Sequence, residues 1–176
     1  MDSLYRLNQM NLDFYDNLIN KDASAIFDDT DNILWVDWRE SEDEIVSSLS
    51  AMLRLEDLTV THQDDENEHG YKVVITYDGN SVSVNPAGGL DMRHATLNAV
   101  DSLVSPDFEV RYATDSEGGD SIGIAAEHTN DWKTLYRIHG KLINERFCPV
   151  RELPDLMNTR PTEIREACQK YANRIG

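Results

Sequence analysis

The sequence predicts a single α+β domain, in which a mainly antiparallel sheet of about four to six strands is packed by about four to five helices. Three observations support this fold class. Segments rich in β-branched and aromatic residues occur in two pairs, and the short Gly-containing connection in each pair indicates a hairpin. Segments with helical periodicity lie around these pairs. The length of 176 residues is typical of one domain, so we expect residues 1–176 to fold together.

The first two predicted elements are a helix and a short strand. Leu4, Leu7, Phe14 and Leu18 approximate helical spacing with polar residues between them, which predicts an N-terminal helix. Residues 33–36 follow a polar segment and are rich in β-forming side chains, so they predict a strand.

Residues 42–54 have the clearest local pattern in the chain and predict a helix. Ser41 and Glu44 have the spacing of a capping box, in which each side chain binds the backbone N–H of the other residue. Acidic residues in the first turn also suit the positive end of the helix dipole. The apolar residues that follow share one helical face: Ile45, Val46, Leu49, Met52 and Leu53.

The remaining strands are predicted in the middle of the chain. Residues 58–61 form one candidate strand, and residues 71–77 and 81–84 predict a hairpin. Residues 108–112 and 122–125 predict the second hairpin, so the sheet is expected to be mainly antiparallel.

Two further helices are predicted before the C-terminal part of the chain. Asp91 is the expected N-cap of a helix that ends before Pro106. Thr129 or Asn130 is expected to open one long helix over 130–146. Its apolar face would consist of Trp132, Leu135, Tyr136, His139, Leu142 and Ile143.

The C-terminal part of the chain is predicted to end in a further helix. Pro149 and Pro154 bracket a non-periodic stretch, so 149–161 is a candidate linker. Pro161 is suited to the first turn of the last helix.

The charge of the chain is strongly negative and unevenly distributed. Its 33 Asp and Glu residues exceed its 16 Lys and Arg residues, for a net charge of −17. Residues 1–70 hold 18 acidic and 4 basic side chains, whereas residues 128–176 hold 6 acidic and 9 basic ones. A negative surface repels phosphate backbones and attracts basic partners, so we expect no nucleic-acid partner. The alternative is that the charge serves solubility alone.

The composition also points to a cytoplasmic protein with no membrane partner. No stretch approaches the roughly 20 apolar residues of a membrane span, and no signal segment is recognised. The two cysteines, Cys148 and Cys168, do not make a disulfide framework, which favours a reducing compartment.

One motif has the form of a catalytic site. Residues 119–123 read G-x-S-x-G around Ser121, and Asp131 and His139 follow in the order of a hydrolase triad. That motif requires a serine on a turn from a strand into a helix. Ser121 is instead expected to enter a strand, so a serine hydrolase is the less favoured alternative.

The acidic loop around residues 62–69 has the composition of a metal site. Its candidate ligands are His62, Asp64, Asp65, Glu66, Glu68 and His69. The EF-hand template fails because Thr76 falls where the bidentate acid belongs, so a solvated acidic loop is favoured. With no P-loop and no G-x-G-x-x-G, we expect no cofactor and no bound metal.

Trp35 and Trp38 are candidate anchors for a partner. Their odd separation places the two indoles on opposite faces of a strand, so that one faces outward among acidic residues. Exposed aromatic side chains dominate the binding energy of interfaces, and surrounding charge sets the association rate. The alternative is that both indoles are in the core, one of them beneath the 42–54 helix.

The pattern Trp-x-Asp-Trp-Arg-Glu-x-x-Asp-Glu-Ile-Val at residues 35–46, with the acidity and the α+β order, resembles small bacterial immunity proteins. The resemblance implies a tight stoichiometric complex with a cognate toxin, often a basic nuclease-type domain, whose cleft is covered by carboxylates. Other functions remain open: a nucleic-acid mimic, an adaptor or chaperone for an exported protein, and the Ser121 hydrolase.

The charge distribution and the two indoles select the candidate partner-binding residues. They are Trp35, Asp37, Trp38, Glu40, Glu42, Asp43, Glu44, Asp64, Asp65, Glu66 and Glu68.

Overall fold

The computed structural model describes residues 9–20, 23–28, 31–116 and 120–175. These residues include six α-helices and seven strands, and the strands form two antiparallel sheets. The elements in chain order are α1 Gln9–Asn20, β1 Leu34–Asp37, α2 Glu42–Leu53, β2 Thr59–Asp64, β3 Tyr71–Tyr77, β4 Asn80–Val84, α3 Met92–Val104, β5 Phe108–Ala113, β6 Ser121–His128, α4 Thr129–His139, α5 Lys141–Arg146, β7 Phe147–Pro149 and α6 Pro161–Ile175. The predicted α+β class, the antiparallel pairing and both hairpins are confirmed.

The strands are divided between two sheets. The larger sheet has the order β1-β6-β5-β7, and the smaller has the order β2-β3-β4. In the larger sheet, Leu34 pairs with Ile124 and Tyr112 pairs with Cys148, so both edge strands run antiparallel to their neighbours. The first hairpin, β3 and β4, lies in the smaller sheet, and the second hairpin, β5 and β6, lies in the larger sheet. In the chain, α3 separates the two hairpins.

The larger sheet is covered on both faces, and alternating side chains of its strands enter two different cores. Val110 and Tyr112 belong to the first core, which also contains the buried residues of α2, α3 and the smaller sheet. Ala113 and Phe147 belong to the second core, which contains Trp132 and other residues of α1, α4 and α5. The layers are therefore helices, larger sheet, helices, smaller sheet.

The helix α2 begins as the sequence predicts. The Ser41 hydroxyl accepts from the backbone N–H of Glu44 at 3.3 Å, and the Glu44 carboxylate accepts from the Ser41 N–H at 2.8 Å, so the capping box is complete. Asp91 likewise caps α3 by accepting from the N–H of Arg93 at 2.9 Å.

The predicted single helix over 130–146 is wrong, because the chain turns at Gly140. This residue has φ +62 and ends α4, and α5 begins at Lys141. The change of direction removes Leu142 from the predicted apolar face, and its side chain is 48% exposed. Trp132 and Ile143 remain buried in the second core.

The ends of the described chain pack against the rest of the molecule. In α1, Tyr15 and Leu18 are buried, while the predicted helical residues Leu4 and Leu7 lie outside the described residues. The candidate linker 149–161 places Val150, Leu153 and Leu156 in the first core. The last helix begins at Pro161 as expected. None of the described helices has the length and apolar character needed to cross a membrane.

Candidate functional site

Trp38 is the outward-facing indole of the pair. It lies in the turn after β1 and is 66% exposed. Trp35 lies on β1 and packs against the second core, where its ring stacks on Phe27 with centroids 5.4 Å apart. The interpretation that places both indoles in the core is therefore wrong for Trp38.

The turn that carries Trp38 is held by an ion pair. The Asp37 carboxylate accepts from the backbone N–H of Arg39 at 2.6 Å and from its guanidinium at 2.7 Å. The same guanidinium holds the pKa of Asp37 at about 2. A hydrogen bond with Asp37 raises the pKa of the neighbouring Glu40 carboxyl. The Arg39 guanidinium carbon also lies 5.4 Å from the centroid of the Trp38 ring.

Arg93 ties this turn to the first turn of α3. Its guanidinium donates to the backbone carbonyl of Trp38 and forms an ion pair with Asp91. The Asp91 backbone N–H in turn donates to the Asp155 carboxylate at 2.7 Å. The exposed Leu90 precedes Asp91, so a second apolar side chain lies on this part of the surface. Sequence reasoning missed Arg93 and Leu90, because a contact across 55 positions leaves no local pattern.

The carboxylates at the start of α2 surround this turn. Glu44 is held in the capping box, and the Ser41 backbone N–H lowers the pKa of its carboxyl. Asp43 lies 2.7 Å from the His62 ring on β2. Glu42 has no described hydrogen bond or ion pair. We define the Trp38 surface as Trp38 with five carboxylates: Asp37, Glu40, Glu42, Asp43 and Glu44.

The acidic segment 64–68 lies next to the Trp38 surface. His62 and Asp64 share one face of β2, and the His62 contact with Asp43 joins this strand to α2. Asp65 pairs with Lys72 at 3.4 Å, and Glu68 lies 3.6 Å from the His69 ring.

Four carboxylates of the predicted acidic site have a basic or histidine partner within the protein. Asp37 and Asp65 lie against Arg39 and Lys72, and Asp43 and Glu68 lie against histidines. The other carboxylates have no described ion pair, and they are Glu40, Glu42, Glu44, Asp64 and Glu66, although Glu40 and Glu42 lie in the fields of Arg39 and Arg93. The exposed face therefore keeps a net negative charge after these contacts are counted.

The Ser121 motif does not have the geometry of a nucleophile turn. Ser121 is the first residue of β6 and pairs with Asp37, so the chain enters a strand. Asp131 and His139 are eight positions apart on α4, which separates them by about 12 Å along the helix axis. Gly123 has a packing role, because a Cβ there would lie 3.0 Å from the Cβ of Ser116. Gly119 lies outside the described residues.

The loop that contains the candidate metal ligands makes contacts within itself. Asp65 accepts from the Asn67 N–H at 3.1 Å, and Asn67 accepts from the His69 N–H at 2.8 Å. Across the described ranges, no three His, Cys, Asp or Glu side chains are grouped so that they could hold a metal ion.

A second candidate site, which sequence reasoning missed, is built on β5. Glu109 and Arg111 are buried there, and the Arg111 Nε donates to the Glu109 Oε2 at 2.6 Å. The other Glu109 oxygen accepts from Arg151, which also donates to Asp101 at 2.8 Å. Burial raises the pKa of the Asp101 carboxyl, although Arg151 and a backbone N–H stabilise its charge.

Arg111 is enclosed by α4 and α5. Its Nη1 donates to Asn144 Oδ1 at 2.8 Å and to the Phe147 carbonyl at 3.2 Å. Its guanidinium carbon lies 4.4 Å from the centroid of the Trp132 ring. The alternation of polar and apolar residues in β5 is typical of a strand with one face in solvent. Both faces are covered here, so the polar side chains had to be paired.

Comparisons of the chain with protein-family models, with curated proteins and with solved structures found no match.

Proposed function

We propose that this chain is a binding protein that captures a cationic protein domain through the Trp38 surface, and that it acts as an immunity protein that neutralises a cognate toxin. The observation that carries the proposal is the 66% exposure of Trp38 on a turn surrounded by carboxylates. On this proposal the chain acts by forming a complex and performs no reaction of its own.

The fixed backbone of the turn favours the role of Trp38 as an anchor. Arg39 and Arg93 hold the two sides of the turn through Asp37 and the Trp38 carbonyl. An indole on a preorganised backbone loses little conformational freedom when it enters a pocket on a partner, which leaves more of its burial energy for affinity. Tryptophan is also among the residues most enriched in binding hot spots.

The surrounding charge supports a basic partner. Asp64 and Glu66 are exposed and have no described cation beside them, so their field extends into solvent, while Glu42 lies in the field of Arg93. Complementary charge accelerates association and disfavours acidic partners. A nuclease-type toxin fits this chemistry, because a cleft that binds phosphates is itself positively charged.

The first experiment replaces Trp38 with alanine. The probe is the purified product of the reading frame adjacent to the gene of this chain, and Ile138→Ala is a matched control because Ile138 is an exposed apolar residue on α4. We expect Trp38→Ala to weaken the complex by about thirtyfold in Kd, which is about 2 kcal/mol, while Ile138→Ala leaves Kd unchanged. If the adjacent product forms no complex with the native chain, or if both variants bind equally well, the proposal is wrong.

The second experiment reverses charge at positions whose side chains have no described hydrogen bond or ion pair. Glu44 caps α2 and Asp43 contacts His62, so they are left unchanged, and Glu42, Asp64 and Glu66 are replaced together by lysine. The control reverses the exposed residues Glu56, Asp107 and Glu166, which changes the net charge equally.

We expect the first triple variant to slow association at low salt by about tenfold and the control to slow it much less. The difference should shrink as the salt concentration rises. Equal rates for the two triple variants would show that the partner does not approach this surface.

A further inference from the structure

A cleft between β5, α4, α5 and the end of α6 is separate from the Trp38 surface. Its volume is roughly 300 Å³, at the lower end of the range of small-molecule sites. Arg111, Trp132 and Asn144 line it and are almost fully buried, while Lys133 lines it as an exposed residue. The cleft therefore has a buried polar floor and an accessible entrance.

The floor of the cleft is fixed in place. Arg111 is held by Glu109 on one side and by Asn144 and the Phe147 carbonyl on the other. The Trp132 indole N–H donates to the Glu109 carbonyl at 3.0 Å, so this ring cannot rotate without losing a buried hydrogen bond. A rigid floor of this kind needs no reorganisation when a ligand enters.

Two nitrogen donors of the cleft are available to a ligand. Asn144 is 2% exposed, its Oδ1 accepts from Arg111, and no hydrogen bond of its Nδ2 is described. Lys133 has no ion-pair partner among the same residues. The Asn144 amide and the Lys133 ammonium are hydrogen-bond donors that suit the oxygens of a carboxylate.

The charge of the cleft is opposite in sign to that of the whole chain. Arg111 and Lys133 bring two positive charges to its lining, and Glu109 brings one negative charge that is shared with Arg151 outside the lining. The chain as a whole has a net charge of −17. An anion is therefore attracted to this cleft and repelled by the Trp38 surface.

We propose that this cleft is a binding site for a small organic carboxylate that carries a flat ring, with the carboxylate between Lys133 and the Asn144 amide and the ring against Trp132 and Tyr136. The donors match the carboxylate oxygens, and the two aromatic side chains provide the apolar walls. The cleft can be tested with the chain alone, so its outcome is independent of the toxin partner.

The test is titration of the native chain by calorimetry with phenylacetate, and with phenylacetamide as the neutral analogue of the same shape. We expect saturable binding of phenylacetate, at least about tenfold tighter than binding of phenylacetamide. Equal affinity for the two probes, or no saturable binding of phenylacetate, overturns the proposal.

Variants of residues that line the cleft test whether phenylacetate binds there. Lys133→Met removes the ammonium group from an exposed residue and should weaken phenylacetate binding by about tenfold. Lys170→Met is the matched control, because Lys170 is an exposed lysine of α6 outside the cleft lining, and it should leave binding unchanged. Asn144→Asp keeps the acceptor for Arg111, removes the amide donor and should abolish binding. Native affinity in Lys133→Met would place the ligand elsewhere and overturn the proposal.

Discussion

The Asp37–Arg39 pair and the Glu109–Arg111 pair have the same spacing along a strand and the same chemistry, but they lie in different surroundings. The guanidinium donates to the carboxylate at 2.7 Å in the first pair and at 2.6 Å in the second. Arg39 is 69% exposed, whereas Arg111 is 7% exposed. Burial, and not the contact itself, therefore determines how much each pair contributes to stability.

The Arg39 guanidinium remains hydrated without its partner. The Asp37 side chain is 14% exposed and also accepts from the Arg39 backbone N–H, so the ion pair mainly orders the turn that carries Trp38. In the interior, Arg111 and Glu109 compensate for each other's desolvation, with Arg151 as a second cation beside Glu109, so the loss of Arg111 alone is costly.

The largest effect is expected when the buried pair is broken. Arg111→Met leaves the Glu109 carboxylate buried with Arg151 as its remaining described partner, and it should lower the free energy of unfolding by about 3–5 kcal/mol. The measurement is equilibrium unfolding in urea. The double variant Glu109→Leu with Arg111→Met should be more stable than the single variant, because the buried carboxylate is removed together with Arg111 while Arg151 keeps Asp101 as its partner. A loss below about 1 kcal/mol in Arg111→Met would contradict this account.

A buried histidine should make stability depend on pH. His94 is 1% exposed, and burial lowers its pKa below 6.5, although Asp91 and Asp155 favour its charged form. The unfolded chain therefore takes up a proton below pH 6.5 that the folded chain does not.

Stability should fall as the pH drops below 6.5, by up to about 1.4 kcal/mol per pH unit from this residue. The check is urea unfolding of the native chain and of His94→Gln between pH 7 and pH 5, since glutamine keeps an acceptor for Asn98 and does not titrate. Equal pH dependence in the two proteins would rule out His94 as the cause.

A smaller loss is expected at the exposed cap of α2. Ser41→Ala removes the hydroxyl that accepts from the Glu44 N–H and should cost about 1 kcal/mol in the free energy of unfolding. Ser47→Ala, at an exposed position within the same helix, should not destabilise the protein. Similar losses in both variants would mean that the cap contributes nothing beyond helix propensity.

The smallest effect on stability is expected at the exposed pair. Arg39→Gln should lower the urea midpoint at pH 7 only slightly, because solvent screens this pair, while the pKa of Asp37, followed by NMR, rises from about 2 toward its ordinary value of 3.8. The sign follows from linkage: a carboxyl with a lowered folded-state pKa stabilises the fold above its unfolded pKa, and that contribution is lost only in acid. A loss of stability at pH 7 as large as that of Arg111→Met would contradict the expected difference between the two pairs.

Local features of the fold could be predicted from the sequence. The start of α2 depends on Ser41 and Glu44, three positions apart, and the first residue of α6 is Pro161. Such signals are short-range, because a cap or a turn is satisfied within a few residues.

The features that could not be predicted depend on contacts between distant parts of the chain. Arg151 meets Glu109 across 42 positions, and Asn144 meets Arg111 across 33. The identity of the exposed indole was open for the same reason, because strand alternation places Trp35 and Trp38 on opposite sides without showing which side is covered. The acidic composition indicated a charged surface, but Arg39 and Lys72 reduce its charge through ion pairs that form only in the folded chain.

The turn at Gly140 requires a backbone conformation with positive φ, which L residues rarely adopt. A Cβ at this position would meet no atom within 4 Å, so the site has room for a side chain. Its φ of +62 and ψ of −145 are the mirror image of the extended polyproline conformation that L residues adopt freely. The cost of L-alanine at residue 140 is therefore conformational and not steric, and D-alanine introduced there by peptide ligation should give a higher melting temperature than L-alanine.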